Sequence, residues 1–203
     1  MTSVPSMTPD KPTLRSTIRA ALAATTPQQR AAWSASINQQ LLAHPLLVRA
    51  RTIFLYAPMP HSSGQPLEVD ISAAALHWLS SGRSVALPAA GPVAPVIITD
   101  WQADLQPAPR GPLLVPRPGL PAADLARIDA VIVPGLAFTR TAPHRRLGRG
   151  GGFYDQFIAS LPPRPDLPRG RAVLISPAFD LQLVDAVPTE PHDQPVDTLI
   201  TPH

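Results

Sequence analysis

Apolar residues recur at helical spacing twice near the start of the chain. Leu14, Ile18, Ala21 and Leu22 form one stripe, and Trp33, Ile37, Leu41 and Leu42 form a second. They predict helices over about residues 11–24 and 27–43. Asp10 suits the N-cap of the first, and Pro12 falls where a first-turn proline is tolerated. The pattern then changes to short, continuous apolar runs. Residues 52–57 (TIFLYA) read as a buried strand, and further strands are expected at 84–87, 96–101, 129–133 and 172–175, with a short final one at 199–200. A helix over about 71–81, stopped by Gly82, separates the first two strands. Strands alternating with helices predict an α/β fold: a mainly parallel sheet flanked by helices, in a Rossmann-like open architecture. No internal repeat and no heptad pattern is visible. Residues 1–9 are expected to be a flexible tail, and 10–203 a single α/β domain.

Open parallel sheets bind ligands beyond the carboxyl ends of their strands. Two segments begin at such ends, 56–61 and 135–155. The second is the more informative. The strand at 129–133 ends in Pro134-Gly135, and a basic loop follows with Arg140, His144, Arg145, Arg146 and Arg149. Gly148, Gly150, Gly151 and Gly152, four of the chain's eleven glycines, come next. Phe153 to Ile158 then read as the first turns of a helix. Backbone N–H groups of such a loop point at the helix start, where the dipole adds positive potential. Glycines let the main chain approach an anion, and arginines supply forked donors. This chemistry suits polyphosphate, although a flexible loop of solvated arginines has the same composition. Neither the P-loop signature nor G-x-G-x-x-G is present, since no Lys-Ser/Thr pair follows and position 153 is Phe.

Composition narrows the classes. The 203 residues are 44% hydrophobic and 15% charged, which is globular rather than disordered. The 28 prolines cluster at 107–121 and 162–168, which read as stiff connectors. No apolar run approaches the roughly 18 residues of a membrane span. The first ten residues lack the basic and apolar regions of a secretory signal. Absence of cysteine excludes disulfides, thiolate metal sites and thiol catalysis. A cytoplasmic location is expected. The net charge of +3 is too small to argue for nucleic acid. The kind of charge is more telling: Lys11 is the only lysine, and Glu68 and Glu190 are the only glutamates.

Lys11 and Arg15 lie four apart and share a face at the start of the first helix. Cations are unfavourable there, and an anion bound between them would remove the conflict; a solvated pair is the plainer alternative. The six histidines show no zinc spacing, and no nucleophile motif is present. Asp155, in the first turn after the glycines, and Asp193 are candidates for Mg²⁺, because a nucleotide phosphate site needs one or two carboxylates to hold the metal. Asp155 could equally serve the helix dipole alone.

These residues together resemble the 5-formyltetrahydrofolate cyclo-ligase family, also called methenyltetrahydrofolate synthetases. The likeness runs from about Lys11 to Thr201. It includes Lys11-x-x-Leu14-Arg15, Tyr56, Glu68-Val69-Asp70, Val85-Ala86-Leu87-Pro88 and Val133-Pro134-Gly135-Leu136-Ala137-Phe138. It continues with Arg146-Leu147-Gly148-Arg149-Gly150-Gly151-Gly152-Phe153-Tyr154-Asp155, Gln182-Leu183-Val184, Pro188-Thr189-Glu190-Pro191-His192-Asp193 and Val196-Asp197. The resemblance implies ATP- and Mg²⁺-dependent conversion of 5-formyltetrahydrofolate to 5,10-methenyltetrahydrofolate, with release of ADP and phosphate. The formyl oxygen attacks the γ-phosphate, N10 captures the resulting iminium phosphate, and phosphate leaves as the ring closes.

The implied roles follow the motif. Lys11 and Arg15 grip ATP phosphates, while Arg146, Leu147, Gly148, Arg149, Gly150, Gly151 and Gly152 wrap them, with Tyr154 alongside. Lys11, Arg146 and Tyr154 are the catalytic candidates. Asp155 and Asp193 hold Mg²⁺. Leu55, Glu68, Trp101 and Tyr154 line the folate site, with Gly150, Gly152 and Phe153 contributing. The expected partner is 5-formyltetrahydrofolate, with or without a polyglutamate tail. No nucleic acid or membrane partner is expected, and the chain is expected to be a monomer. Three departures from the family pattern stand out. Val115 occupies a position where Glu is usual, Phe153 replaces a tyrosine, and the loop at 58–67 is longer than in many relatives. They leave open a divergent, non-catalytic paralogue that binds a nucleotide or RNA on the same scaffold.

Overall fold

Six strands form one sheet at the centre of the molecule, in the order β11-β9-β6-β1-β2-β3. The strands are β1 (Thr52–Phe54), β2 (Ser84–Pro88), β3 (Pro95–Ile98), β6 (Ala130–Ile132), β9 (Val173–Pro177) and β11 (Thr198–Ile200). Every pairing is parallel except that of β2 with β3. The computed structural model describes residues 9–59, 66–89, 95–111 and 113–203; the expected N-terminal tail up to residue 8 and most of the longer loop, including His61 to Gly64, lie outside them. The α/β class and the mainly parallel sheet agree with the sequence pattern.

Alternation along the strands divides the core in two. Ile53, Val85, Ile132 and Ile175 belong to one buried cluster, with Leu14, Ile37 and Trp78 from the helices. Their neighbours Phe54, Ala86, Val131 and Leu174 belong to the other, with Phe157 and Ile158. Helices α1 (Lys11–Ala23), α2 (Pro27–Ala43) and α4 (Ser72–Ser80) supply the first cluster, and α5 (Phe153–Ser160) supplies the second. Burial on both faces explains why these strands are continuous apolar runs rather than alternating ones.

Local signals set the helix starts. The Asp10 carboxylate accepts the Thr13 N–H at 2.8 Å, and Thr26 with Gln29 forms a reciprocal capping box. Burial on α2 differs from its apolar stripe. Trp33 and Leu42 are only partly covered, whereas Arg30, Ser34 and Asn38 are buried. These polar groups bind the main chain before α4 and in its first turn: Arg30 donates to the Pro66 carbonyl, and Asn38 to that of Asp70 while accepting from Ala74 N–H. Hydropathy cannot register a face that is buried for its hydrogen bonds.

Two expected loops are folded. The proline-rich stretch at 107–121 contributes to an antiparallel ribbon of β4 (Leu105–Pro107) and β5 (Leu114–Pro116), so it is not merely a connector. The segment between Pro134 and the glycines forms a second hairpin, β7 (Ala137–Thr139) with β8 (Arg146–Leu147), extended by β10 (Leu183–Val184). A short helix, α3 (Pro45–Arg49), was not expected either; five residues are too few to carry a periodic signal.

Candidate active site

Segments distant in sequence meet beyond the carboxyl ends of β1 and β6. The start of α1, the turn 148–152 and the stretch 190–193 line a cavity of about 700 Å³, together with Met59, Pro134 and Gly135. Small-molecule sites commonly enclose about 300–1,000 Å³. A smaller cavity of about 390 Å³ lies among the residues that precede β1, β6 and β9. Its Arg164, Arg169 and Arg171 are already paired with Asp129, Asp166 and Asp197, which tie loop ends together.

The wall of the larger cavity is built from the hairpin upward. Strand β8 places Arg146, whose side chain is 4% exposed, 2.8 Å from Asp155 on the first turn of α5. The guanidinium carbon lies 5.8 Å from the Tyr154 ring centre. Two glycines are fixed by this side chain and its neighbour. A Cβ on Gly148 would come within 2.8 Å of Arg146 Nη1, and one on Gly135 within 2.5 Å of the Phe138 ring. Gly152 caps α5 in the left-handed region, with φ of 67°, where a side chain is strained.

Helix α1 supplies the facing wall. Arg15 Nε donates to the Gly148 carbonyl at 2.9 Å, fixing the helix to the turn. Lys11 Nζ lies 2.8 Å from Asp193 and 3.2 Å from Glu190. Burial lowers the Lys11 pKa, but the hydrogen bonds and charges of Asp193 and Glu190 outweigh it and the net shift is upward. Burial likewise raises Asp193, yet Lys11 and the Glu190 N–H hold its carboxyl below the ordinary value. The opposite charges therefore fix one another in the ionised state.

Two buried polar atoms near this wall, Arg146 Nε and Tyr154 Oη, have no hydrogen-bond partner among the described residues. Such groups are costly, at about 1–3 kcal/mol each, and mark a place where a ligand can supply the partner. Burial, reinforced by the Glu68 charge, pushes the Tyr154 phenol far above its ordinary pKa. The hydroxyl is a donor at any physiological pH and cannot serve as a base.

Carboxylates gather on one side. Asp155 Oδ1 accepts the Gln194 N–H at 3.0 Å, which joins its helix to the residue after Asp193. Ligand atoms of Glu190, His192 and Asp193 lie within 4.8 Å of one another. Hard carboxylate oxygens of this kind suit Mg²⁺.

A model of the 5-formyltetrahydrofolate cyclo-ligase family matches residues 7–202. The chain belongs to that family. It is thus a member of a family of ligases. A 5-formyltetrahydrofolate cyclo-ligase of Mycolicibacterium smegmatis is 31% identical over 163 residues, covering 77% of this chain and 76% of the relative. One from Escherichia coli is 28% identical over 196 residues, covering 91% and 96%. The solution structure of an Aquifex aeolicus 5,10-methenyltetrahydrofolate synthetase superposes with a TM-score of 0.75 at 22% identity, over 95% of this chain and 89% of that one; it attests the fold.

The candidate residues divide by position in this family member. Lys11, Arg15, Arg146 to Asp155 and Asp193 all border the cavity. Glu68 stands just behind it: its Oε1 accepts the Met59 N–H at 2.7 Å and its Oε2 lies 3.0 Å from Arg149. Leu55 and Trp101 are not in the cavity wall. Leu55 is fully buried in the core and Trp101 packs against the same cluster. Val115, on β5, is also outside the wall, whereas the nearby Leu113 borders it. Sequence reasoning did not single out Met59, Gly135, Glu190 or His192 as site residues. Glu190 had a signal in the rarity of glutamate; Met59 had only its place in the segment 56–61, beyond the end of a strand.

Proposed function

We propose that the chain converts 5-formyltetrahydrofolate to 5,10-methenyltetrahydrofolate with consumption of ATP, requiring Mg²⁺ and releasing ADP and phosphate. Family membership supports the cyclo-ligase reaction. The convergence of Lys11, Arg15, Arg146 and the glycine turn on one cavity is the observation that supports the use of ATP. In this reading the substrate formyl oxygen attacks the γ-phosphorus and ADP departs. N10 then bonds to the formyl carbon, the carbon–oxygen bond breaks, and phosphate leaves with the oxygen that attacked. The N10 proton passes to solvent.

The protein's part is positioning and charge. Lys11 and Arg15 would hold phosphate oxygens at the start of α1. Arg146 would offer its free Nε–H, and the turn 148–152 its backbone donors, to the transferring group, where fixed donors act most strongly. Tyr154, protonated and without a partner, would donate to the formyl oxygen or the phosphoryl group. Asp155, Asp193 and Glu190 would hold Mg²⁺, which when bound neutralises phosphate charge. Glu68 would accept from the N–H groups of the pterin edge. Residues 10–203 act as one catalytic unit in this account, without a nucleic-acid or membrane partner.

Turnover is the test. Purified protein with MgATP and 5-formyltetrahydrofolate should accumulate methenyl product, read by its near-ultraviolet absorbance, with ADP formed in equal amount. Nucleotide binding without any methenyl product would refute the proposal and favour a non-catalytic paralogue.

A further inference from the structure

Cations and carboxylates of the cavity are cross-paired, and one pair ties its glycine turn to Glu68 just behind the wall. Arg149 sits between Gly148 and Gly150 in the turn that borders the cavity. Its Nη2 lies 3.0 Å from Glu68 Oε2, and its Nη1 lies 3.4 Å from Met59 Sδ. The two partners are held unequally. Glu68 is 13% exposed and anchored through Oε1 by the Met59 N–H, whereas Arg149 is 42% exposed. The turn main chain is held to α1 by the bond from Arg15 to the Gly148 carbonyl, and a Cβ on Gly151 would meet open space, so a ligand can approach the turn at that point. Arg149 is the more exposed member, and Glu68 the more buried and better anchored one. No other ion pair to Glu68 is formed among the described residues.

We propose that the Arg149–Glu68 pair is a partner-exchange latch that makes nucleotide and folate binding reinforce each other. The inference rests on the proposed function, in which the glycine turn takes phosphate and Glu68 takes the pterin. A polyphosphate drawn into the turn competes for Arg149. If it wins, the nearly buried Glu68 charge loses its counterion, which is unfavourable. A ligand presenting N–H donors to Glu68 Oε2 removes that penalty. Conversely, such a ligand displaces Arg149, whose charge is then satisfied by phosphate. Each ligand releases the protein group that the other requires. Linkage makes the effect reciprocal: the factor by which folate tightens nucleotide equals the factor by which nucleotide tightens folate. Arg149 is half-exposed and screened, so the factor belongs at the low end of the usual range, about fivefold.

Equilibrium titration with a non-hydrolysable β,γ-methylene ATP analogue and Mg²⁺ tests the latch without turnover. In the wild type, saturating 5-formyltetrahydrofolate should tighten analogue binding about fivefold. Arg149→Met should still bind the folate, since Glu68 is intact, but its analogue affinity should no longer respond to it. Glu68→Gln keeps an acceptor for the Met59 N–H and frees Arg149. It should bind the analogue more tightly than wild type in the absence of folate, although the altered residue belongs to the folate side. A thermal melt of each variant separates these shifts from loss of fold. Suppose instead that both ligands bind the wild type saturably, the analogue affinity ignores folate, and Glu68→Gln leaves it unchanged. Then the latch is overturned while the proposed function stands. Failure of either ligand to bind the wild type would overturn both.

Discussion

Lys11 makes a clean probe because it is the only lysine in the chain. An amine-directed reagent has that side chain and the α-amino group as its amine targets, and MgATP should protect Lys11. Equal labelling with and without MgATP would remove Lys11 from the nucleotide site. Arg146 is tested through its partner. Replacing it by Met strands the Asp155 carboxylate, and breaking a buried pair costs about 3–5 kcal/mol. Denaturant unfolding of Arg146→Met should show a loss near the lower figure, because Asp155 also accepts from Gln194. The double variant Arg146→Met with Asp155→Leu should recover much of the stability and none of the turnover. Recovery of activity would show that the pair only holds the loop.

Asp104 offers a pH test away from the cavity. Its Oδ2 accepts the Thr99 and Asp100 N–H groups and the Thr99 hydroxyl, and its Oδ1 pairs with Arg117. The Thr99 N–H bond is the largest influence and outweighs burial, holding the carboxyl below its ordinary value of 3.8. A carboxyl depressed on folding stabilises the fold above the unfolded value and loses that contribution as pH falls through the folded one. Asp104→Asn should therefore lose about 1–3 kcal/mol at neutral pH. The gap to wild type, measured by urea unfolding, should narrow below pH 3.8. A gap independent of pH would assign the loss to packing.

At the scale of elements, the glycine turn before α5 is the joint on which the site depends. Gly152→Ala places a Cβ at φ of 67°, a strain of about 1–2 kcal/mol, and should lower thermal stability by that amount. Gly151→Ala meets open space and should be mild in stability, so any larger effect on nucleotide affinity would report contact with the ligand. The elements readable from sequence were those with local signals. Caps at Asp10 and Thr26 and long apolar stripes marked α1 and α2, and doubly buried runs marked the strands. The β7–β8 hairpin was not readable, because Ala137 to Thr139 and Arg146-Leu147 are strands only through their mutual pairing and that of β10, which arrives from residue 183. Loop composition alone did not separate Arg146 from the neighbouring arginines, and only the family likeness singled it out; it is the one buried at the wall.

Across the whole molecule, the site exists only when the chain's ends are brought together. Lys11 meets Asp193 across 182 positions, and Arg15 meets Gly148 across 133. Motif order along the sequence pointed to these residues through a family likeness; of the others named by that likeness, Leu55 lies in the core cluster and Trp101 packs against it, both outside the cavity wall. In the proposed reaction the formyl oxygen of the folate attacks the γ-phosphate held in this cavity. That oxygen must then leave with the phosphate. Single turnover of 5-formyltetrahydrofolate labelled with ¹⁸O in the formyl group, with MgATP in ordinary water, should yield inorganic phosphate carrying one labelled oxygen per methenyl product. Unlabelled phosphate accompanying methenyl product would mean that ATP is hydrolysed by water, and would contradict the claim.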